Sequence, residues 1–234
     1  MTTAEGPHRA DGWTAAVRQR LGLGRLLPLG GPADGSWIAE RAATAVLRDA
    51  TAGAGALLGP LRIAPADPAG ATEPVVPGPP SALPPGPLRI EAGFAATAAR
   101  PLPATAAALR AALLAAAAER LGLVVDEVNL RVTDLLDEEP GPAGPPESAE
   151  VRAAEPDGPA ARVAARVPGV VSLTRELGNA VHSAPGHVRV ELATAGDRRA
   201  LDVARAVREA VSGAVEGRPA VAVLVTAVVG PARE

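Results

Sequence analysis

The six residues Gly86-Pro87-Leu88-Arg89-Ile90-Glu91 return as Gly186-His187-Val188-Arg189-Val190-Glu191. In both places apolar side chains alternate with Arg and Glu, the period-two pattern of a strand with one buried face. An Ala/Val-rich helical stretch follows each copy, and then a strand ending in Val-Thr, at Val132-Thr133 and at Val225-Thr226. The chain reads as one small unit written twice, and a duplication constrains architecture more firmly than composition does.

Working outward, the first copy opens with a helix over 36–50, with Ser36 as N-cap and Glu40 in the first turn, burying Ala39, Ala43, Val46 and Leu47. Gly59-Pro60-Leu61-Arg62-Ile63 and the segment from Gly86 to Ala95 are two strands of one sheet. Between them, residues 65–85 are crowded with Pro, Gly and Ala and read as a mobile insertion. Pro101 and Pro103 start a helix that Gly122 stops, with Leu102, Leu109, Leu113 and Leu114 as its apolar face. Val128, Leu130 and Val132 then alternate with Asn129, Arg131 and Thr133. In the second copy a helix over 160–167 is stopped by Pro168-Gly169, and strands follow at 170–174 and 188–192. Asp197 caps a helix carrying Leu201, Ala204, Val207, Val211 and Val215 on one face, with Arg205 and Glu209 paired at i, i+4. Residues 221–229 are apolar on both faces, as in a covered strand.

The expected organisation is an N-terminal tail and short amphipathic helix (1–35), a first repeat (36–136) with a Pro-rich insertion (65–85), an acidic Pro/Gly linker (137–157) and a second repeat (158–234). The expected fold class is α/β (α+β): two tandem two-layer domains, each helix-strand-strand-helix-strand with a small mixed sheet.

Composition excludes several chemistries. No Cys among 234 residues removes disulfides, thiolate metal sites and thiol nucleophiles. All 23 basic residues are Arg, so no Lys is present for a Schiff base or a phosphate-binding loop. Trp13, Trp37 and Phe94 are the whole aromatic complement, so cores must be packed with Ala, Val and Leu. The net charge of -3, with neither half basic, argues against nucleic acid as a partner. No uninterrupted apolar run reaches the roughly 18 to 20 residues of a membrane span; the longest are 111–118 and 221–229. Residues 1–12 are polar and lack an export signal, so the expected location is cytoplasmic.

The order helix, two strands, long helix, strand, together with the turn Val167-Pro168-Gly169-Val170-Val171, resembles the bacterial alkaline-shock and general-stress family of envelope stress response proteins. Residues 162–171 look like the family's opening helix and turn, and Val203-Ala204-Arg205-Ala206-Val207 like its second helix. The first copy is similar in order but departs by its insertion and lacks the Pro-Gly turn. The resemblance implies a non-enzymatic structural or protein-interaction role, with no catalytic residues and no cofactor. It also implies a membrane-anchored protein partner and a position in the cytoplasm, peripheral at the inner face of the membrane. Over its full length the chain also resembles uncharacterised bacterial proteins under a nucleopolyhedrovirus-type label, which carries no mechanism because sustained heptads are absent.

Individual residues yield few sharper sites. Trp13, Val17 and Leu21 share a helical face beside Arg18, Arg20 and Arg25, which makes these six the candidate interaction residues, for a partner or a membrane surface. His182, His187 and Glu191 are too few for a metal centre, and His182-Ser183 has no nucleophile elbow around it. Gly22-Leu23-Gly24 begins like a dinucleotide fingerprint, but Leu27 stands where the third Gly belongs. Gly141-Pro142-Ala143-Gly144 has the spacing of a nucleic-acid clamp inside an acidic, proline-flanked linker. No catalytic, cofactor-binding or metal residues are expected. The alternative readings are a small nucleic-acid-binding module, or a small-molecule enzyme using an inter-repeat cleft, which clustering of Arg41, Arg89, Arg131, Arg189 or Asp134 in one concave pocket would favour. A homo-oligomer, including a pseudo-dimeric packing of the repeats, is open.

Overall fold

The computed structural model describes residues 22–138, 140–141 and 151–230. Strands β1 (Leu26–Leu29) and β2 (Ser36–Ala39) form an antiparallel pair around a tight turn at Pro32–Asp34. There follow α1 (Glu40–Thr51), β3 (Ala56–Pro65), β4 (Leu88–Thr97), α2 (Leu102–Ala115) with a π-helical continuation over Ala116–Leu121, and β5 (Val125–Leu136). The rest comprises β6 (Ala153–Ala154), α3 (Gly158–Ala165), β7 (Val170–Thr174), β8 (Val181–Ala184), β9 (His187–Ala195), α4 (Ala200–Ala214) and β10 (Ala220–Val229).

The duplication is plain in the strand pairing. β4 lies antiparallel to β3 and parallel to β5, while β9 lies antiparallel to β7 and β8 and parallel to β10. Leu88-Arg89-Ile90-Glu91 and Val188-Arg189-Val190-Glu191 therefore occupy the same place, the middle strand of each unit. The fold is α/β with mixed sheets: the first copy has the order helix-strand-strand-helix-strand in a three-stranded sheet, and the second has that order with β8 added between β7 and β9, in the larger sheet. A parallel pair needs a crossover, and α2 and α4 supply it in the two copies.

The sheets do not divide at residue 36. β2 pairs parallel with β10, with Ser36, Trp37 and Ile38 opposite Val223, Leu224 and Val225, so β1 and β2 complete a seven-stranded sheet built on the second copy. Ser36 is thus a strand residue and not an N-cap. Its hydroxyl donates to the Asp34 carbonyl at 2.8 Å, and the helix begins at Glu40 after Ala39 with no side-chain cap. The cause is burial: Trp37, Ile38 and Ala39 are all enclosed, and pairing on both edges satisfies their backbone where a helix start would leave donors open. α1 touches β3 of the three-stranded sheet and β2 and β10 of the larger one. One apolar core accordingly runs from Ile63, Ile90 and Leu113 to Trp37, Val190 and Val223.

The Pro-rich segment, expected to be mobile, is docked. The Leu83 amide donates to Leu26 O at 2.9 Å and the Val75 amide to Pro32 O at 3.2 Å. Trp37 Nε1 donates to Leu83 O at 3.1 Å, Val76 is buried, and Gly78 lies so close to the Trp37 ring that a Cβ there would sit 3.2 Å from it. The proline content that argued against structure here lowers the entropy lost on docking, because Pro has little backbone freedom to lose.

Two further expectations change. Arg199, not Asp197, precedes α4, and no side chain caps it. Arg205 pairs with Asp34, 2.7 Å from Nε to Oδ1, in preference to Glu209. Asp34 also accepts the Gly31 amide at 2.8 Å. Burial pushes the Asp34 pKa up most strongly, but Arg205 and the Gly31 amide together outweigh it and hold the carboxyl below its ordinary value. Glu40 behaves alike: burial raises it, and Arg25, bonded through its backbone and guanidinium at 3.1 and 2.8 Å, brings it lower.

Because both folded pKa values are depressed, these carboxylates stabilise the protein above their unfolded pKa, and the contribution disappears as pH falls through the folded values. Asp34→Asn should lower neutral-pH stability by on the order of 1 kcal/mol or less, since Arg205 is half exposed and screened. It should also flatten the acid limb of the urea midpoint plotted against pH. An acid limb identical to that of the unmodified chain would refute this account of Asp34.

Candidate interaction surface

α2 exposes more apolar surface than its counterpart. Thr105, Leu109 and Leu113, spaced i, i+4, i+8, form its buried stripe, extended by Ala116, Ala117 and Leu121. Most of the remaining circumference is alanine, with Ala104, Ala107, Ala108, Ala111 and Ala115 exposed. Leu114, expected to share the buried face, is 36% exposed, because neighbouring residues on a helix cannot share one narrow face with Leu113. The equivalent helix α4 instead turns Asp202, Arg205 and Glu209 to solvent. The run Leu102–Leu121 has an 18-residue window of mean hydropathy 1.3, of which 28% is buried, and by length and composition it is long enough to cross a membrane. In this fold the helix ends on Gly122, which takes φ 90° and donates its amide to Ala117 O at 2.8 Å.

β5 continues the uncovered surface. On β4 the burial alternates strictly: Leu88, Ile90, Ala92, Phe94 and Ala96 are enclosed and the residues between them are not. The register sets Val128, Leu130 and Val132 beside Ile90, Ala92 and Phe94 on the helix-covered face, and Glu127, Asn129 and Arg131 beside Arg89, Glu91 and Gly93 on the open face. Only Val128 is buried; Val132 is 40% and Leu135 58% exposed, although both lie on the apolar side. β5 is the last strand of its sheet among the described residues. In the second copy the equivalent edge of β10 is taken by β2, and every residue from Val221 to Thr226 is buried. Arg110 Nε, projecting from α2, donates to Val128 O at 3.2 Å. Arg110 therefore faces β5, and Leu114 and Ala107, one turn to either side, share its flank. Exposed apolar side chains thus lie along α2 and β5, beside a β5 edge that no other strand pairs among the described residues.

On the open face, Pro60, Glu91, Gly93, Asn129 and Arg131 line a shallow depression of about 410 Å³. A second depression of about 550 Å³ lies between β6 and the loop joining β7 to β8, and is bordered by Glu155, Asp157, Arg175 and Asn179. Of the five residues weighed for an inter-repeat cleft, only Arg131 lines either depression; Arg41, Arg89, Arg189 and Asp134 do not. The repeated Glu has also diverged. Glu91 pairs with Arg89 at 2.8 Å at the surface, whereas Glu191 is fully enclosed, accepting the Leu177 amide at 2.9 Å and Arg189 at 3.1 Å. Burial pushes the Glu191 pKa up, against the pull of the Leu177 amide and Arg189. This carboxylate ties down the loop between β7 and β8.

The other residues singled out from the sequence stand as follows. Trp13, Val17, Arg18, Arg20 and Leu21 lie outside the described residues, as do Pro142, Ala143 and Gly144. Arg25 is engaged by Glu40, with 38% of its side chain still accessible. His182 and His187 meet edge to face with centroids 6.5 Å apart on the β8-β9 hairpin, and among the described residues no cluster of three metal-binding side chains occurs. Gly24, at φ 70°, follows the helical residues Gly22 and Leu23, and Leu27 is buried in β1. Comparison of the chain with protein-family models, curated proteins and solved structures returned no match.

The contrast between adjacent leucines can be measured. Leu113→Ala should cost about 3 kcal/mol, the range for an enclosed leucine, while Leu114→Ala should change stability by less than about 0.5 kcal/mol. Equal losses in urea denaturation of the dilute, monomeric chain would show that Leu114 is covered within its own fold and that the exposed surface does not exist.

Proposed function

We propose that this chain is a non-enzymatic interaction protein of the envelope stress response type, acting in the cytoplasm on a protein partner through the exposed band of α2 and β5. The observation that carries the reading is the inequality of the two copies. The second copy covers its sheet edge with β2 and its helix with charged residues, while the first leaves Leu114, Val132 and Leu135 exposed along a β5 edge that no strand covers among the described residues. Exposed apolar surface joined to a strand edge carries an aggregation hazard when left free, and strand edges are a recurring mode of protein recognition. The order helix, two strands, long helix, strand in the first copy, repeated with β8 added in the second, supports the stress-response assignment. A net charge of -3 gives a nucleic-acid role less support.

A photo-crosslinking amino acid placed at position 114 or 135 of the full chain, in cells under alkaline or envelope stress, should capture discrete protein partners. The same probe at position 202 on α4 should not. A stress-type partner should sediment with membranes. Indistinguishable capture at 114, 135 and 202 would remove the surface from consideration. A turnover activity abolished by changes at Arg175 or Asn179, with the band intact, would replace the proposal with an enzymatic one.

A further inference from the structure

We infer that the occupant of the β5 edge is a second copy of the same strand, paired antiparallel about a two-fold axis at Asn129, which joins two three-stranded sheets into one of six. The inference rests on reading the α2-β5 band as an interface, and it adds the identity and register of what binds there.

The strand carries its own complement. Glu127, Asn129 and Arg131 lie on the open face at successive alternate positions. An antiparallel copy centred on Asn129 sets Glu127 directly opposite the partner's Arg131 and Arg131 opposite the partner's Glu127, so two ion pairs form on one face. Directly opposed residues share a face, so the register also places Val128 opposite Leu130 on the apolar side, and the helices of both copies on the same side of the joined sheet. Centring the pair at Leu130 would set Asp126 against Asp134 and lose both charge pairs. Centring it at Val128 would oppose Glu127 with Asn129.

The helix flank fits the same axis. Arg110 holds Val128 O one residue from the axis, a bond that passes to the Leu130 amide of the second copy when the edges pair, and Leu114 lies one turn further toward the start of β5. A helical turn advances about 5.4 Å and a strand about 3.3 Å per residue, so Leu114 lies near position 126, opposite Val132 of the second copy. The exposed leucine of one copy therefore covers the exposed valine of the other. Ala107 and Ala111 let the two α2 helices approach closely beside the axis. The molecule already contains the corresponding solution in its second half, where the edge equivalent to β5 is extended by a strand added from another part of the chain.

Sedimentation equilibrium of the full chain over a concentration series should show a reversible dimer. Glu127→Arg alone, and Arg131→Glu alone, should each weaken it by about tenfold or more, because two attractive pairs become repulsive. Mixing these two variants should restore a dimer, as should the double variant. Circular dichroism identical to the parent would show that each variant is folded. A chain that stays monomeric at all concentrations, or a dimer insensitive to both single reversals, would overturn the inference. So would failure of the mixture to associate. Slow amide exchange of residues 126–132 at every concentration would also overturn it, by showing that another part of the same chain covers the edge. A monomer that still captures foreign protein at position 114 would overturn self-pairing while leaving the interaction function in place.

Discussion

The pairing of Trp37 and Ile38 in β2 with Leu224 and Val225 in β10 is the constraint on which the rest of the structure depends. These residues come from opposite ends of the described chain, and their backbone bonds convert two small units into one body. Without β1 and β2 the first unit would have a three-stranded sheet and the second a five-stranded one, each backed by helices rich in alanine, so that both cores would be shallow. With β1 and β2 added, β10 becomes a central strand enclosed on both faces, and α1, starting directly from β2, is drawn against both sheets. The Pro-rich segment then has a platform on which to dock, because Trp37 offers it both a ring and an N–H donor.

The same constraint explains why the two copies diverged in opposite directions. The second copy, its edge covered, buries Glu191 under the loop between β7 and β8 and also the hydroxyls of Thr174 and Thr226, which share a 2.8 Å hydrogen bond. Among the described residues no strand covers the first copy in this way. Its central strand kept an open face where Arg89 and Glu91 pair at the surface, and its outer strand kept charges at alternate positions. Charged edge strands discourage indiscriminate pairing, and a charge sequence that is its own mirror complement discourages every partner and register but one.

Much of this was legible in the residues, and the failures have physical causes. The repeat located the middle strands, the crossover helices and the Gly122 stop, because each depends on local periodicity and a local backbone conformation. Asp34-Gly35-Ser36 has the composition of a helix start, but the partner that makes Ser36 a strand residue lies at Val223, and no local pattern reports a contact so distant. The docking of residues 66–85 was hidden for the same reason: proline argues against helix and sheet but says nothing about packing on a tryptophan. The exposed band was partly readable. Leu113 and Leu114 point about 100° apart on a helix, so one of them had to face away from the stripe. What alanine cannot reveal is its own exposure, since a methyl group suits core and surface alike. The Arg and Glu of the duplicated hexapeptide looked equivalent and proved not to be, because the loop that encloses Glu191 has no counterpart in the first copy.

The parallel ladder between β2 and β10 also orders events in time. A ribosome releases residues 36–39 well before residues 223–225, which must pair with them. The first copy can assemble its own sheet and helices meanwhile, but Trp37 and Ile38, with the Pro-rich segment that rests on them, must wait for β10. Closing so long a loop makes this the slowest and most non-local step of folding. Until it is complete, two adjacent large apolar side chains stand uncovered on the nascent chain, where chaperones engage. The contact that unifies the finished molecule is thus also its longest period of vulnerability.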